Sequence, residues 1–545
     1  MINTLNPYPS LRTAILLQTG PTRDGQQNVD VADQETEQLR KMIVQRGQES
    51  GDARTLAMGA SVSLTGAMAA RALNMVTQVL MARSLGAAQF GLYAIGWTLV
   101  RVLGTIGTLG LEAGIIYLGA NYQRNSPSKF KGAVMQSIMI PFFFGTLMGA
   151  VVWFAAPTLA QYVFHKPDAS SVIRAFIPAF PLFAVCFVAG GITRLSQRMQ
   201  YSVYSSIGQA AFVLLLLSIL LIFEWGLFGA IVATVSGFAV GSLISIWYVS
   251  RLFPTVFTRE IQPQWVGAEL LAYSASVMLA GVAYNTLMFV DRLFVASFRT
   301  SAETGIYQAA SQLSILFGIL LGAFHGMFRP MVADIYARGD KRRLAELYRV
   351  CSKWTLYSSV PVFLVILYAP GYLIELVYGR AYERAATPLL ILSVGQIFMV
   401  VTAGSHTMLV MTGRQRTFVS ISFATLVLAL FLNLVLVPRF GLDGAATAAA
   451  VSNLFLNSAA VAAVRRDLGI WPVDIRCVKG LIAAFVTLGV LLVLGPLNTG
   501  APSLRIFVVC AISLAVFTGC LGAIGLDPED REFLSVLRRR LLISS

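Results

Sequence analysis

The sequence predicts an all-α polytopic membrane protein of about 14 transmembrane helices, with two parallel six-helix repeats around a central cavity plus two extra helices. Three observations carry that expectation. Only 12% of the 545 residues are charged and 56% are hydrophobic, against about 25% charged in ordinary soluble domains, and the mean hydropathy is +0.71. Apolar segments of about 20 residues, long enough to cross a bilayer, follow one another from residue 57 onward. Two stretches also recur at nearly one offset. "GLYAIGWTLVRVLG" from Gly91 resembles "GIYQAASQLSILFG" from Gly305, and "GLFGAIVATVSG" from Gly226 resembles "GLDGAATAAAVSN" from Gly441. The shared offset separates duplication from chance similarity among Gly- and Ala-rich helices.

The expected spans lie near 57–82, 89–119, 132–155, 172–193, 204–223, 227–250, 270–297, 303–328, 354–377, 386–411, 418–437, 443–464, 480–495 and 504–525. Residues 1–56 precede them as a disordered cytoplasmic tail, whose "TAILL" is too short for a signal-peptide core. Residues 57–252 then form an N-lobe of helices 1–6, 253–468 a C-lobe of helices 7–12, and 469–545 helices 13–14 with a basic cytoplasmic tail. Because six is even, both copies enter the membrane from the same side. A parallel repeat of this kind places a substrate between its halves.

The net charge of +15 raises the question of a nucleic-acid partner, and its distribution answers it. With the N-terminus in the cytoplasm, 30 Lys and Arg fall on the cytoplasmic side and 7 on the outside, namely Arg83, Lys166, Arg299, Arg380, Arg384, Arg439 and Arg505. That is the positive-inside asymmetry of a membrane protein with both termini cytoplasmic, so no nucleic acid is expected. The five cysteines have no CxxC spacing, which argues against disulfides and a metal site. No GxxxxGK[ST] loop is present, so no ATP chemistry and no cofactor is expected. The longest outer loop, about 157–171, is too short for the catalytic loops of a membrane polymerase or ligase. The inner stretch "ARGDKRRLAELYRVCSKW" (337–354) puts Leu344, Leu347, Tyr348 and Cys351 at helical spacing beside a basic face. It reads either as a helix along the membrane surface or as a solvated basic loop.

Candidate functional residues are the polar ones inside apolar spans, where ionisable groups are costly. Helix 1 carries Arg71, Asn74 and Gln78 on one face, and helix 2 carries Trp97, Arg101, Thr105, Thr108 and Glu112 on one face. Helix 7 offers Tyr284, Met288 and Asp291, with Asn285 and Arg292 beside them. Helix 8 offers Gln308, Gln312 and, near its inner end, His325. Under the repeat, helices 7 and 8 are the counterparts of 1 and 2, which favours one shared lumen. Structural readings stand beside each of these. For Arg71 and Arg101 the structural reading is as partners of Glu112 or of backbone carbonyls. Asp291 and Arg292 can pair locally near the outer end of helix 7. Trp97, Tyr284 and His325 suit packing, and Arg174 suits the interface.

Several stretches resemble the bacterial polysaccharide flippases, the O-antigen and exopolysaccharide translocases of the multidrug/oligosaccharidyl-lipid/polysaccharide exporter superfamily. They are "MARSLGAAQFGLYAIGWTLVRVLG", "VDRLFVASFRTSAETGIYQAASQL", "FRPMVADIY" and "LDGAATAAAVSN", in that order within about 57–470. The resemblance implies twelve core helices in two lobes, alternating access, and a cavity lined by helices 1, 2, 7 and 8. It implies a cationic cavity, which maps onto Arg71, Arg101 and Arg292. The implied substrate is a polyprenyl-diphosphate-linked oligosaccharide, moved across the bacterial inner membrane. Membrane lipids, a polysaccharide polymerase and glycosyltransferases are the implied neighbours. A cation-coupled multidrug exporter and a lipid II flippase of the same superfamily are the alternatives; an exporter of organic cations calls for acids, not two arginines, at mid-span.

Overall fold

The computed structural model describes residues 23–196, 200–402, 404–494, 502–525 and 527–531. Regular structure among them is helical throughout. Helix α1 (Arg23–Gly107) begins in a part, up to Ala60, that forms a compact unit of its own. Residues 23–56 are thus helical where disorder was expected. They lack proline and are rich in Gln, Glu and Arg, which are good helix formers. The polarity that argued against a core does not argue against a helix.

From Ser61 onward the described chain is one unit. Ten of its helical stretches are long and apolar enough to cross a membrane, or eleven with the bent pair α4 (Ala169–Ala175) and α5 (Ala179–Arg194). Two of the ten are of double length: Thr65–Asn125, which ends in α2 (Leu111–Asn125), and the later Gln415–Leu468. One crossing needs about 20 residues, so each accommodates two. The breaks are Gly86 (φ 71°) and Gly441 (φ 61°), left-handed conformations that a Cβ would strain. Gly226, which the repeat pairs with Gly441, also has positive φ (52°).

The remaining elements follow the expected order. They are α3 (Pro127–Thr158), α6 (Gln200–Ile222), α7 (Gly226–Leu252), the short α8 (Pro254–Phe257) and α9 (Gly267–Phe298). Then come α10 (Ser301–Ser314), α11 (Leu316–Ala337), α12 (Lys341–Tyr368), α13 (Pro370–Tyr378), α14 (Ala386–Val401) and α15 (Ser405–Met411). Helices α16 (Gln415–Leu468), α17 (Ile475–Val493) and α18 (Pro502–Ile524) complete the chain. Packing follows the duplication. In the first half α7 lies against α5 and α6; in the second, α16 lies against α9 and α14. Helices α17 and α18 pack on each other and on α12.

Helix α9 straddles the halves. Near its start Leu270 joins a core with Leu111, Ile115 and Phe130 of the first half, while Leu287 and Val290 pack with Ala429 and Leu456 of the second. The stretch 337–354 is not a separate surface helix or a loop. From Lys341 it is the start of α12, with Leu344, Tyr348 and Cys351 buried against Phe328 and Met408. At the same end, Lys353 is wholly buried among carboxylates that follow α18, 2.9 Å from Asp530 and 3.3 Å from Asp527. Lys479 of α17 also reaches Asp527, at 2.7 Å.

Candidate functional site

The polar residues of the spans divide into three groups once their neighbours are known. Glu112, in the first turn of α2, is in an ion pair with Arg194 at the end of α5, 2.8 Å away. The carboxylate expected as a partner for Arg71 or Arg101 is thus taken by another helix of its own half. Asn74 donates to the carbonyl of Ala70 in its own helix, at 2.9 Å. Trp97 stacks between Tyr93 and Phe238 and packs, as its structural reading had it. Tyr284 leans on Phe418, and Arg174 lies over Trp153. The side chain of His325 lies outside the described ones.

Asp291 is 6% exposed. One of its oxygens accepts from the hydroxyl of Tyr307 at 2.7 Å and the other from the backbone N–H of Arg292 at 2.9 Å. The expected local pairing of Asp291 with the neighbouring guanidinium is not what the structure has. Arg292, 7% exposed, turns its guanidinium to the ring of Phe289, 4.7 Å from the centroid. Its polar contacts are meagre: one long bond, 3.5 Å, to the carbonyl of Met288, and an Nε with no partner.

Arg101 of α1 meets the same ring from the other half. Its guanidinium lies 5.3 Å from Phe289, 5.6 Å from Phe183 and 5.9 Å from Trp97. No described carboxylate pairs with it or with Arg292. A mid-span arginine costs about 3 kcal/mol on insertion scales. Each ring contributes on the order of 1 kcal/mol, so three rings roughly offset the charge without consuming the N–H donors. Two guanidinium groups, one from each half, therefore share one aromatic ring and keep their hydrogen-bonding capacity. Such a pair suits an anion with two charged centres, because forked N–H groups match phosphate oxygens.

The other stripe residues sit at graded exposure. Arg71 is exposed and reaches the carbonyl of Gly318 on α11 at 3.3 Å, the backbone partner its structural reading named. Gln78 and Gln308 are buried, each with a side-chain oxygen that has no partner, and Gln312 is half-buried. Sequence reasoning missed Phe289, Phe183, Arg194 and Tyr307. Phe289 and Phe183 are indistinguishable from packing residues in an apolar run. Tyr307 carried a usable signal, since the repeat pairs it with Tyr93.

The chain is similar to known proteins in sequence and in fold. The family described as polysaccharide biosynthesis protein matches residues 56–335, and the MatE family matches residues 277–435. An uncharacterized membrane protein of Methanocaldococcus jannaschii is 21% identical over 394 residues, covering 68% of this chain and 76% of that one. The probable low-salt glycan biosynthesis flippase Agl15 of Haloferax volcanii is 21% identical over 222 residues, 40% of this chain and 46% of its own. Among solved structures, the lipid II flippase MurJ in an inward closed conformation superposes with a TM-score of 0.67 at 12% identity, covering 83% of this chain and 97% of that one. A family match over half of the chain, on a helical fold shared with membrane transporters, places it: the protein belongs to the polysaccharide biosynthesis protein family of the multidrug/oligosaccharidyl-lipid/polysaccharide exporter superfamily.

Proposed function

We propose that this protein flips a polyprenyl-diphosphate-linked oligosaccharide, an O-antigen or exopolysaccharide repeat unit, across the bacterial cytoplasmic membrane by alternating access of an N-lobe and a C-lobe. The observation that carries the reading is the pair of carboxylate-free guanidinium groups on Phe289, one from each half. Arg101 and Arg292 hold the diphosphate in a low-dielectric setting, where each charged contact is worth more than in water. Arg71, exposed beside Gly318, is a third cation at the edge of the site. Asn74, Gln78, Gln308 and Gln312 offer amides to sugar hydroxyls. Glu112 and Asp291 serve as the internal partners of Arg194 and Tyr307. The hydrocarbon tail stays in lipid between the lobes. Glycosyltransferases that build the unit and a polymerase that consumes it are the partners this role requires.

The test uses purified protein in liposomes with a fluorescent polyprenyl-diphosphate oligosaccharide and a membrane-impermeant quencher. Two lost charge-assisted contacts, about 2 kcal/mol each, predict an exchange slower by on the order of 1,000-fold for Arg101→Gln with Arg292→Gln in a correctly folded protein. Unchanged exchange overturns the assignment. The match to the MatE family supports one competing reading, a cation-coupled exporter. Efflux of an organic cation by native protein, with no movement of any lipid-linked glycan, would decide for it.

A further inference from the structure

At the face expected outside, the two halves meet through positions that the internal repeat makes equivalent. Gly91 and Gly305, which open the two copies of the first repeated stretch, lie against each other's surroundings. A Cβ added to Gly91 would fall 1.8 Å from the carbonyl oxygen of Ser301, and one added to Gly305 would fall 2.1 Å from that of Ala87. Here backbone touches backbone, which only small residues permit. Ala82 and Ala296 are equivalent at the same offset as the two glycines. The carbonyl of Ala82 accepts from the hydroxyl of Tyr382 at 2.7 Å, and the carbonyl of Ala296 accepts from the ammonium of Lys166. Each donor comes from the opposite half, and from the same place in it, the connection between the third and fourth spans of that half. Ala296 is in the last turn of α9, where Thr300 gives its N–H to Glu303, so Lys166 supplies a donor that the helix itself does not.

Residues on a two-fold axis meet their own equivalents, and residues beside it exchange contacts reciprocally. Both signatures are present here at once. We propose that these six residues form a single self-matching seal at the outer ends of the lobes, with the glycine pair as its contact point and the two donor–carbonyl bonds as reciprocal clasps, which must release together before the protein opens outward. The clasps give this seal its register. The glycines give it closeness, and a side chain at either one holds the halves apart. The inference rests on the alternating-access reading for the direction of opening and is independent of the cargo.

The measurement is a pulsed electron–electron distance in lipid nanodiscs, in a background without the five native cysteines. Spin labels replace Asp168 and Glu383, which are exposed in the two connections. The unsubstituted seal should give one short distance. Tyr382→Phe with Lys166→Met removes only the clasping atoms and should add a longer component, and Gly91→Leu should replace the short distance by the long one. Distances unchanged in both variants, with normal elution and thermal stability, overturn the proposal. A clasp variant that opens while Gly91→Leu does not would remove the glycine pair from it. Because no substrate is present, this readout stands or falls apart from glycan transport.

Discussion

Tyr93 and Tyr307 occupy the same place in the two halves, and both are fully buried. In the first half the hydroxyl meets a neutral partner, Thr234, at 2.9 Å. In the second it donates to the carboxylate of Asp291 at 2.7 Å. The pattern extends along the repeat. Gln78 corresponds to Arg292, Arg71 to Asn285 and Arg101 to Ile315, each at the offset that relates the two tyrosines. The shared scaffold keeps glycines and tyrosines where backbones and rings must fit, while the charges have been redistributed. Each half thus contributes a cation from a different helix and depth, and two of these converge on Phe289.

The strongest way to break this comparison is to move a charge between equivalent positions. Arg292→Gln should slow glycan exchange about 100-fold, at roughly 2–3 kcal/mol for a lost charge-assisted contact. Adding Gln78→Arg should restore exchange to within about tenfold of native if the halves converge on one anion; absence of any rescue in the liposome assay would show that the two positions are not interchangeable. A second contrast concerns stability. Tyr307→Phe leaves a buried carboxylate short of a donor and should cost about 2–3 kcal/mol. Tyr93→Phe removes a neutral interhelical bond worth about 0.6 kcal/mol in a membrane protein. Thermal unfolding of the two variants side by side reads the difference, and equal losses would mean that Asp291 finds another donor. The smallest effect is expected for Arg71→Gln. Its one 3.3 Å bond comes from an exposed side chain, and exchange should fall less than about tenfold, the equivalent of roughly 1.4 kcal/mol.

Much of the fold was legible because lipid imposes strong rules on sequence. Apolar length gives spans, charge asymmetry gives an expected orientation, and a common offset exposes duplication. The polar faces of helices 1, 2, 7 and 8 could be read from spacing, and Arg101 and Arg292 do come together. What spacing cannot supply is the identity of the facing helix. Glu112 shares a helical face with Arg101 in the sequence and belongs to Arg194 in the fold. Asp291 and Arg292 are neighbours in sequence, yet consecutive helical side chains point apart, so one turns to Tyr307 and the other to Phe289. The run from Lys341 was misread for a related reason. An amphipathic pattern marks two environments, and here the apolar one was a protein core that includes Phe328, not a membrane surface.

The carboxylates around Lys353 set a timetable for biogenesis. Asp527 follows Lys353 by 174 residues, so at ordinary elongation rates it leaves the ribosome roughly 10 to 30 seconds later. Until then a lysine destined to be wholly buried has no counter-charge from that segment, and this part of α12 cannot finish packing. The segment after α18 therefore completes a site begun on α12, and that part of the second half cannot mature until the segment has been made.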